Sequence, residues 1–358
     1  MKLKSVKLFN SVGVSILFAV IMGVFLSQYL NIAPVYGIGG MALLSAGASF
    51  LPKMSGVALA GVYREVWTGE VVRGLSHADQ NGWLNGLKDQ SRYVTGDDEA
   101  QTIHMAYLGV KPDVLINNST YPIPVQDLNA TDIPIALDKF QTKATPITDD
   151  EIYALSYDKI ANVKDLHVES ITEYKQDKAI HALAPAGNTT KTPVLLTTGE
   201  DDGTGRKRLT TKDIVRLKKA YDDMKAPVAG RRLVLCPDHV NDLLTADQKF
   251  AEQYYNYTTG KISNLYGFEV YEYVSNPYFV PSTLAKKSFG SVPAGTDRMA
   301  SVAFHTARAV KAAGKTLMYY SEAKTDPLTQ RNLVNFRHYF IVLPTAQEAI
   351  GAIVSDNV

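Results

Sequence analysis

One cysteine in 358 residues, Cys236, leaves no partner for an intrachain disulfide. That removes the stapled scaffold of a small secreted protein and suits assembly in a reducing cytoplasm. An excess of either charge is also missing: 37 basic residues face 36 acidic ones, for a formal net charge of +1. A chain that grips nucleic acid through a broad basic face needs many phosphate contacts at once, so contact with nucleic acid is expected to be local and weak. The signatures of common catalytic sites are absent too. No HExxH, GxSxG or CxxC pattern occurs, and the seven histidines, from His77 to His338, include no pair at metal-ligand spacing. These gaps point away from an enzyme and imply no cofactor and no metal.

Two local clusters invite a chemical reading. "CPDH" places Cys236, Asp238 and His239 within four residues, but side chains diverge at a strand end, and a base seldom reaches a thiol of its own turn. Cys236 is expected to be a small core residue, with Asp238 at the start of the following helix. "GEDDGTGRKR", residues 199 to 208, resembles both a calcium loop and a phosphate loop. Its acidic residues are adjacent where a calcium loop alternates them, and no Gly-Lys-Ser/Thr opens a helix, so a mobile, solvated loop is expected.

Charge is missing from one long stretch. From Leu8 to Pro52 there is no Asp, Glu, Lys or Arg, while Lys2, Lys4 and Lys7 precede it and Lys53 follows. As a helix, residues 11 to 30 would be about 30 Å long, the thickness of a bilayer's hydrocarbon core. Lysines ahead of an apolar run also open a signal peptide. Any membrane contact would run through residues 11–30, and a membrane or export role stays open on this pattern alone.

The rest of the chain reads as mixed helix and strand. "VYREVWTGEVVRGL", residues 62 to 75, can place Val62, Val66, Trp67 and Val71 on one face of an amphipathic helix. Residues 111 to 145 carry Pro122, Pro124 and Pro134 among β-branched and aromatic residues, which predicts a long, extended β-hairpin arm. Thr148 followed by Glu151 forms a capping box, with Asp149 and Asp150 in the first turn. Ile152, Leu155, Val163, Leu166, Ile171 and Tyr174 then recur at helical spacing, so a helix from 149 to 183, on the order of 50 Å long, is expected. Thr210 and Asp213 cap another helix, with Ile214, Leu217, Tyr221 and Met224 on its stripe. "RRLVLCPDHV" is a buried strand ending at Pro237, and "YGFEVYEYV", residues 266 to 274, is a strand introduced by Gly267. Strand, helix and strand at short spacing predict a compact α/β unit over 186–305. Near the C-terminus antiparallel strands follow, with Val334, Phe336, His338 and Phe340 on one face of the last.

A long arm, a long spine, a compact α/β unit and a terminal sheet describe a protein built to assemble, because an extended arm exposes unpaired backbone unless a neighbour covers it. Trp67, Tyr121, Ile123, Leu137 and Phe140 are the candidate intersubunit contacts. In its order of elements, over roughly residues 60 to 350, the chain resembles the tailed-phage major capsid proteins with the Hong Kong 97-type fold. "VYREVWTGEVVRGL" looks like their N-terminal arm. Residues 113 to 160 resemble the extended loop running into the spine helix. "RLVLCPDHVNDLL" and "YGFEVYEYV" resemble axial-domain strands, and residues 318 to 344 the peripheral-domain strands.

The resemblance implies an α+β capsid fold divided into an apolar N-terminal segment (1–53), an N-terminal arm (54–100), an extended loop (101–147), a spine helix in a peripheral domain (148–185), an axial domain (186–305) and peripheral strands with the C-terminus (306–358). It implies self-assembly, in hexamers and pentamers, into an icosahedral shell around a double-stranded DNA genome held by weak, non-specific contact. A portal, tail machinery, a scaffold and a maturation protease are implied as partners, with the virion capsid as location and the host cytoplasm as the place of assembly. Some family members crosslink through a lysine of the extended loop. Lys139 and Lys143 lie in or near that region, but nothing in the sequence assigns them that role. By the same analogy residues 1–53 are a candidate prosegment. Its removal takes away four lysines and leaves 33 basic against 36 acidic residues, a formal charge of −3. Two alternatives stand beside this reading: an encapsulin-like cellular nanocompartment, which shares the fold, and a membrane-anchored protein of unknown activity.

Overall fold

The computed structural model describes residues 68, 70–75, 82–98, 100–108, 114, 117, 119, 121–123, 130–148, 159–246, 264–321 and 331–358. The expectations for residues 1–53, for the N-terminal part of the arm with Trp67, and for the capping residues Asp149 to Glu151 lie outside the described residues.

Four α-helices, three single-turn 3-10 helices and sixteen strands make up the described fold. The first helix, α1 (70–75), buries Val71 and Leu75. Short strands β1 (Lys88–Asp89) and β2 (Val94–Gly96) precede the long pair β3 (Gln101–Leu108) and β4 (Ala130–Ala136). Next come β5 (Asp138–Gln141), β6 (Thr145–Thr148) and the 25-residue helix α2 (Lys159–Leu183). A central segment holds β7 (Val194–Leu196), α3 (Thr211–Asp223), β8 (Arg231–Leu235), α4 (Pro237–Ala246), β9 (Asn264–Leu265), β10 (Phe268–Glu272), β11 (Tyr278–Val280), β12 (Ala285–Lys286) and β13 (Arg298–His305). The chain closes with β14 (Ala309–Ser321), β15 (Arg331–Pro344) and β16 (Ile350–Val354).

Three sheets organise these strands. β2, β3 and β4 form an antiparallel sheet in which β4 is an edge, the position where Pro134, lacking an N–H, is tolerated. The predicted hairpin is therefore real, but its ascending strand starts at Gln101, ten residues before the proline-rich stretch that signalled it. A second sheet runs β1-β14-β15-β5, with β6 also on β15. Its centre is the β14–β15 hairpin, paired from Ala309↔Pro344 to Ser321↔Leu333 with a bulge between Ala313 and Thr316. The eight-stranded third sheet runs β12-β11-β13-β8-β10-β9, and β13 also pairs β16, which pairs β7.

Alternation along β15 explains how the second sheet is buried on both faces. Val334, Phe336, His338 and Phe340 are each no more than 4% exposed. Val334 and Phe336 meet Val163 and Ile171 of α2 with Val71 and Leu75 of α1. The intervening Tyr339 and Ile341 pack the opposite face against Ile103 and Leu137 at the base of the hairpin. In the eight-stranded sheet α3 presents Ile214, Leu217 and Tyr221, all fully buried, at i, i+3 and i+7. Each contributes about 1.5–3 kcal/mol by burial, so this one stripe accounts for a large share of the helix's stability. The Thr210 amide donates to Asp213 Oδ2 at 3.0 Å, closing the predicted capping box. β8 and β10 are parallel with α4 between them, the expected strand-helix-strand crossover.

The spine helix was expected from residue 149, with Thr148 as its cap. Thr148 ends β6, opposite Arg331, and the first described residue of α2 is Lys159, so the start of that helix lies outside the described residues. Two expectations are corrected. Residues 306–358 were grouped as peripheral strands with the C-terminus, yet within them Ile350–Val354 enter the eight-stranded sheet, because a fully apolar strand needs cover on both faces. The loop at 199–208 is exposed at Glu200, Asp201, Gly203 and Thr204 but is closed by backbone hydrogen bonds and an inward-turned arginine. The Gly199 amide donates to the Arg208 carbonyl at 3.1 Å and the Asp202 amide to the Arg206 carbonyl at 2.9 Å, while the Arg206 side chain is buried.

Candidate assembly surface

The hairpin β3–β4 is anchored firmly at its base and exposed at its tip. Ile103 is 1% exposed at the base, the Leu137 amide donates to the Gln101 carbonyl at 2.8 Å, and Gln101 Oε1 accepts the Lys315 amide at 2.9 Å. Gly314 leaves room for that contact, since a Cβ there would sit 1.9 Å from Gln101 Oε1. Beyond the paired strands Val114, Tyr121 and Ile123 are 84%, 75% and 56% exposed. Large apolar side chains held out on an anchored arm are a contact surface without an internal partner.

A second apolar surface lies along the spine. α2 turns Val163, His167, Ile171, Lys175 and Ala179 inward, a strict four-residue repeat that includes two polar positions. Leu166 and Tyr174, expected on the core stripe, lie off that row and are both 62% exposed. The polar members have local partners. His167 Nε2 is 3.1 Å from Thr145 Oγ1, with its ring edge-on to Phe336, and burial lowers its pKa. Lys175 lies over the Phe340 ring at 4.6 Å and donates to the Leu75 carbonyl at 3.4 Å. Hydropathy spacing missed this repeat because a histidine and a lysine occupy core positions in it.

Between α2 and β5 runs a groove of about 760 Å³. Phe140, Leu166, Tyr174 and Phe289 wall it, and Lys139, Lys143 and Lys178 stand along it. Lys178 Nζ lies 3.8 Å from Asp138 Oδ1 and 4.9 Å from the centre of the Phe289 ring.

The five contact candidates separate accordingly. Tyr121 and Ile123 are exposed at the hairpin tip, and Phe140 is half-buried in the groove wall. Leu137 is corrected: it is 6% exposed among Ile103, Ala312, Tyr339 and Ile341, so it anchors the hairpin and offers no outward contact. Alternation turns it inward where the hairpin meets β14 and β15. Trp67 lies outside the described residues. Phe289, Leu166 and Tyr174 join the surface, and for the two spine residues the exposed i, i+8 spacing was the available signal.

The "CPDH" cluster folds into a sealed polar network. Burial pushes the Cys236 thiol up to about 12. His239, fully buried, places Nδ1 2.6 Å from Ser301 Oγ and Nε2 2.9 Å from Ser355 Oγ, and burial pushes its pKa down to about 4. Arg206 donates to both oxygens of Asp242, at 2.7 and 2.8 Å, and to Ser355 Oγ at 3.2 Å. Both ring nitrogens of His239 are engaged and no face of the imidazole meets solvent, so the network joins α4, β13 and the C-terminal residues and does not resemble a hydrolytic triad in use. Among the described residues no group of three His, Cys, Asp or Glu side chains is placed to hold a metal, and no described helix is long and apolar enough to cross a membrane.

An anchored arm with exposed apolar side chains and an apolar groove on the same chain suit a structural subunit that assembles with copies of itself. The family model for phage capsid proteins matches residues 130–355, well over half of the chain, and the chain belongs to that family. It is a major capsid protein, a shell-forming subunit of the Hong Kong 97-type fold. Solved structures agree on the fold. The capsid of Ralstonia phage GP4 is similar at a TM-score of 0.52 and 8% identity, covering 76% of this chain and 87% of that one. The capsid of cyanophage P-SCSP1u is similar at 0.51 and 13% identity, with the same coverage of 76% and 87%. The family match favours a phage shell over the encapsulin alternative. No protein of curated function matches the sequence.

Proposed function

We propose that this capsid subunit builds an icosahedral shell of hexamers and pentamers around double-stranded DNA, and that the hairpin tip of one copy seats in the spine groove of the next. The observation that carries the reading is the presence, on one chain, of exposed Tyr121 and Ile123 at an anchored tip and exposed Leu166 and Tyr174 along the groove. Residues 54–100 serve as the arm, 101–147 as the extended loop and 148–185 as the spine. The axial domain takes 186–305 together with β16, and β14 and β15 serve the periphery. A near-neutral body confines DNA without gripping it, which fits the balance of 37 basic and 36 acidic residues. Portal, tail machinery, scaffold and maturation protease are the partners such a shell needs, with assembly in the host cytoplasm and no enzymatic activity of its own.

Residues 1–53 act as a prosegment or assembly aid, and their loss turns the formal charge to −3. Intact mass of protein from finished particles tests this, since a mass counted from residue 1 would end it. For the contact itself, Leu166→Asp changes a 62%-exposed side chain, so the subunit should keep its circular dichroism and stability to within about 0.5 kcal/mol. It should nonetheless stay unassembled in sedimentation. Shells formed at the wild-type rate by this variant would refute the groove's role.

A further inference from the structure

β16 occupies a slot. On one side it pairs antiparallel with β13, from Ala300↔Val354 to Phe304↔Ile350, and on the other parallel with β7, from Ala352↔Val194 to Val354↔Leu196. Ile350, Ala352, Ile353 and Val354 are each at most 1% exposed, and Gly351 is buried with them. Ile350, Ala352 and Val354 complete one core with Phe304, while Ile353 completes the other with Leu217 and Tyr221. Gly351 fits closely, since a Cβ there would lie 3.1 Å from the Pro193 carbonyl oxygen and 3.2 Å from Leu217 Cδ1. Polar keys fix both ends. Before the strand, Glu348 pairs with Lys191 at 2.5 Å. After it, the Ser355 hydroxyl meets His239 and Arg206, and Asp356 pairs with Lys207 at 2.6 Å.

Remove this strand, and five ladder positions of β13 and three of β7 are left unpaired, while both cores lose a wall. Open edges of that kind accept any extended chain that fits. The strand that fits comes after 349 other residues, far in sequence from β7 at 194–196, so the sheet cannot close until nearly all of the chain seen here exists.

We propose that the space between β7 and β13 is a strand-acceptor site, filled by the chain's own residues 348–356, and that filling it is the step that makes a subunit competent to assemble. The second half of this statement rests on the shell-subunit reading; the first does not. Ile353→Asp in the full chain places a carboxylate where no water reaches, so the variant's own strand should fail to hold the slot. Expressed alone it should sediment as unassembled protein. A wild-type peptide spanning residues 346–358, supplied in excess, should bind it and restore shells, whereas the same peptide carrying Ile353→Asp should bind about a hundredfold more weakly. Gly351→Ala, a milder wedge, should assemble more slowly than wild type and be rescued by the same peptide, which covers the case that the aspartate variant is insoluble. Wild-type assembly by both variants, or no binding of the wild-type peptide to either, overturns the proposal. If the wild-type chain forms no shells, the shell reading fails, and peptide binding alone still judges the slot.

Discussion

Arg206→Met is the substitution that probes the polar network most sharply. The guanidinium is 8% exposed and holds the 2%-exposed Asp242 carboxylate through two bonds of 2.7 and 2.8 Å, with Asp202 on its Nε at 2.9 Å. Without it Asp242 keeps the Leu209 amide at 2.8 Å and remains a buried charge lacking its counter-ion. Breaking one side of such a pair costs about 3–5 kcal/mol, whereas replacing both sides with neutral groups of similar size can cost far less. Urea unfolding of the unassembled subunit, followed by circular dichroism, should show that loss for Arg206→Met. It should also show partial recovery in the Arg206→Met/Asp242→Asn double variant, with a coupling of about 2 kcal/mol or more. A single-variant loss below about 1 kcal/mol, with additive effects in the double variant, would refute the view that this network ties the C-terminal residues to α4.

Acid should destabilise the fold through His239. Its folded pKa of about 4 lies below the ordinary 6.5, so its contribution is fully present above pH 6.5 and is lost as pH falls toward 4, on the order of 3 kcal/mol in all. His239→Gln should make the unfolding midpoint fall less steeply across that window without flattening it, because His338, which burial pushes down to about 3, loses its contribution from pH 6.5 downward as well; an unchanged slope would count against the neutral imidazole. Gly314→Ala should cost about 2 kcal/mol in thermal or urea unfolding, because its Cβ would meet Gln101 Oε1 and the Tyr339 Cβ at 1.9 and 2.9 Å. Adding Gln101→Ala should recover part of that loss, and full stability in the single variant would show that the bulge adapts freely.

Local chemistry made much of this fold legible in sequence. The α3 stripe of Ile214, Leu217 and Tyr221, the Thr210–Asp213 box and the alternating face of β15 are signals carried within a dozen residues, and each appears as read. Features set by distant partners were not legible. Thr148 ends a strand whose partner, at Arg331 of β15, lies 183 residues away in sequence. "IGAIV" near the C-terminus has no local feature that sends it to β13 and β7. In the assembly surface, Tyr121 and Ile123 were read from an extended, proline-rich arm. Leu137 was misplaced because apolar character alone does not tell an anchor from a contact. Leu166 and Tyr174 were assigned to the core because His167 and Lys175, which take the buried row, are polar in composition and buried only through Thr145, Phe340 and Leu75.

Cryo-electron microscopy of particles formed by this chain shows whether the hairpin tip and the groove meet. Closed icosahedral shells are expected, in which the hairpin tip of one subunit, with Tyr121 and Ile123, lies in a neighbour's groove against Phe140, Leu166 and Tyr174. Subunits that stay monomeric at high concentration, or shells in which that groove is empty and the hairpin tip touches no neighbour, would contradict that arrangement.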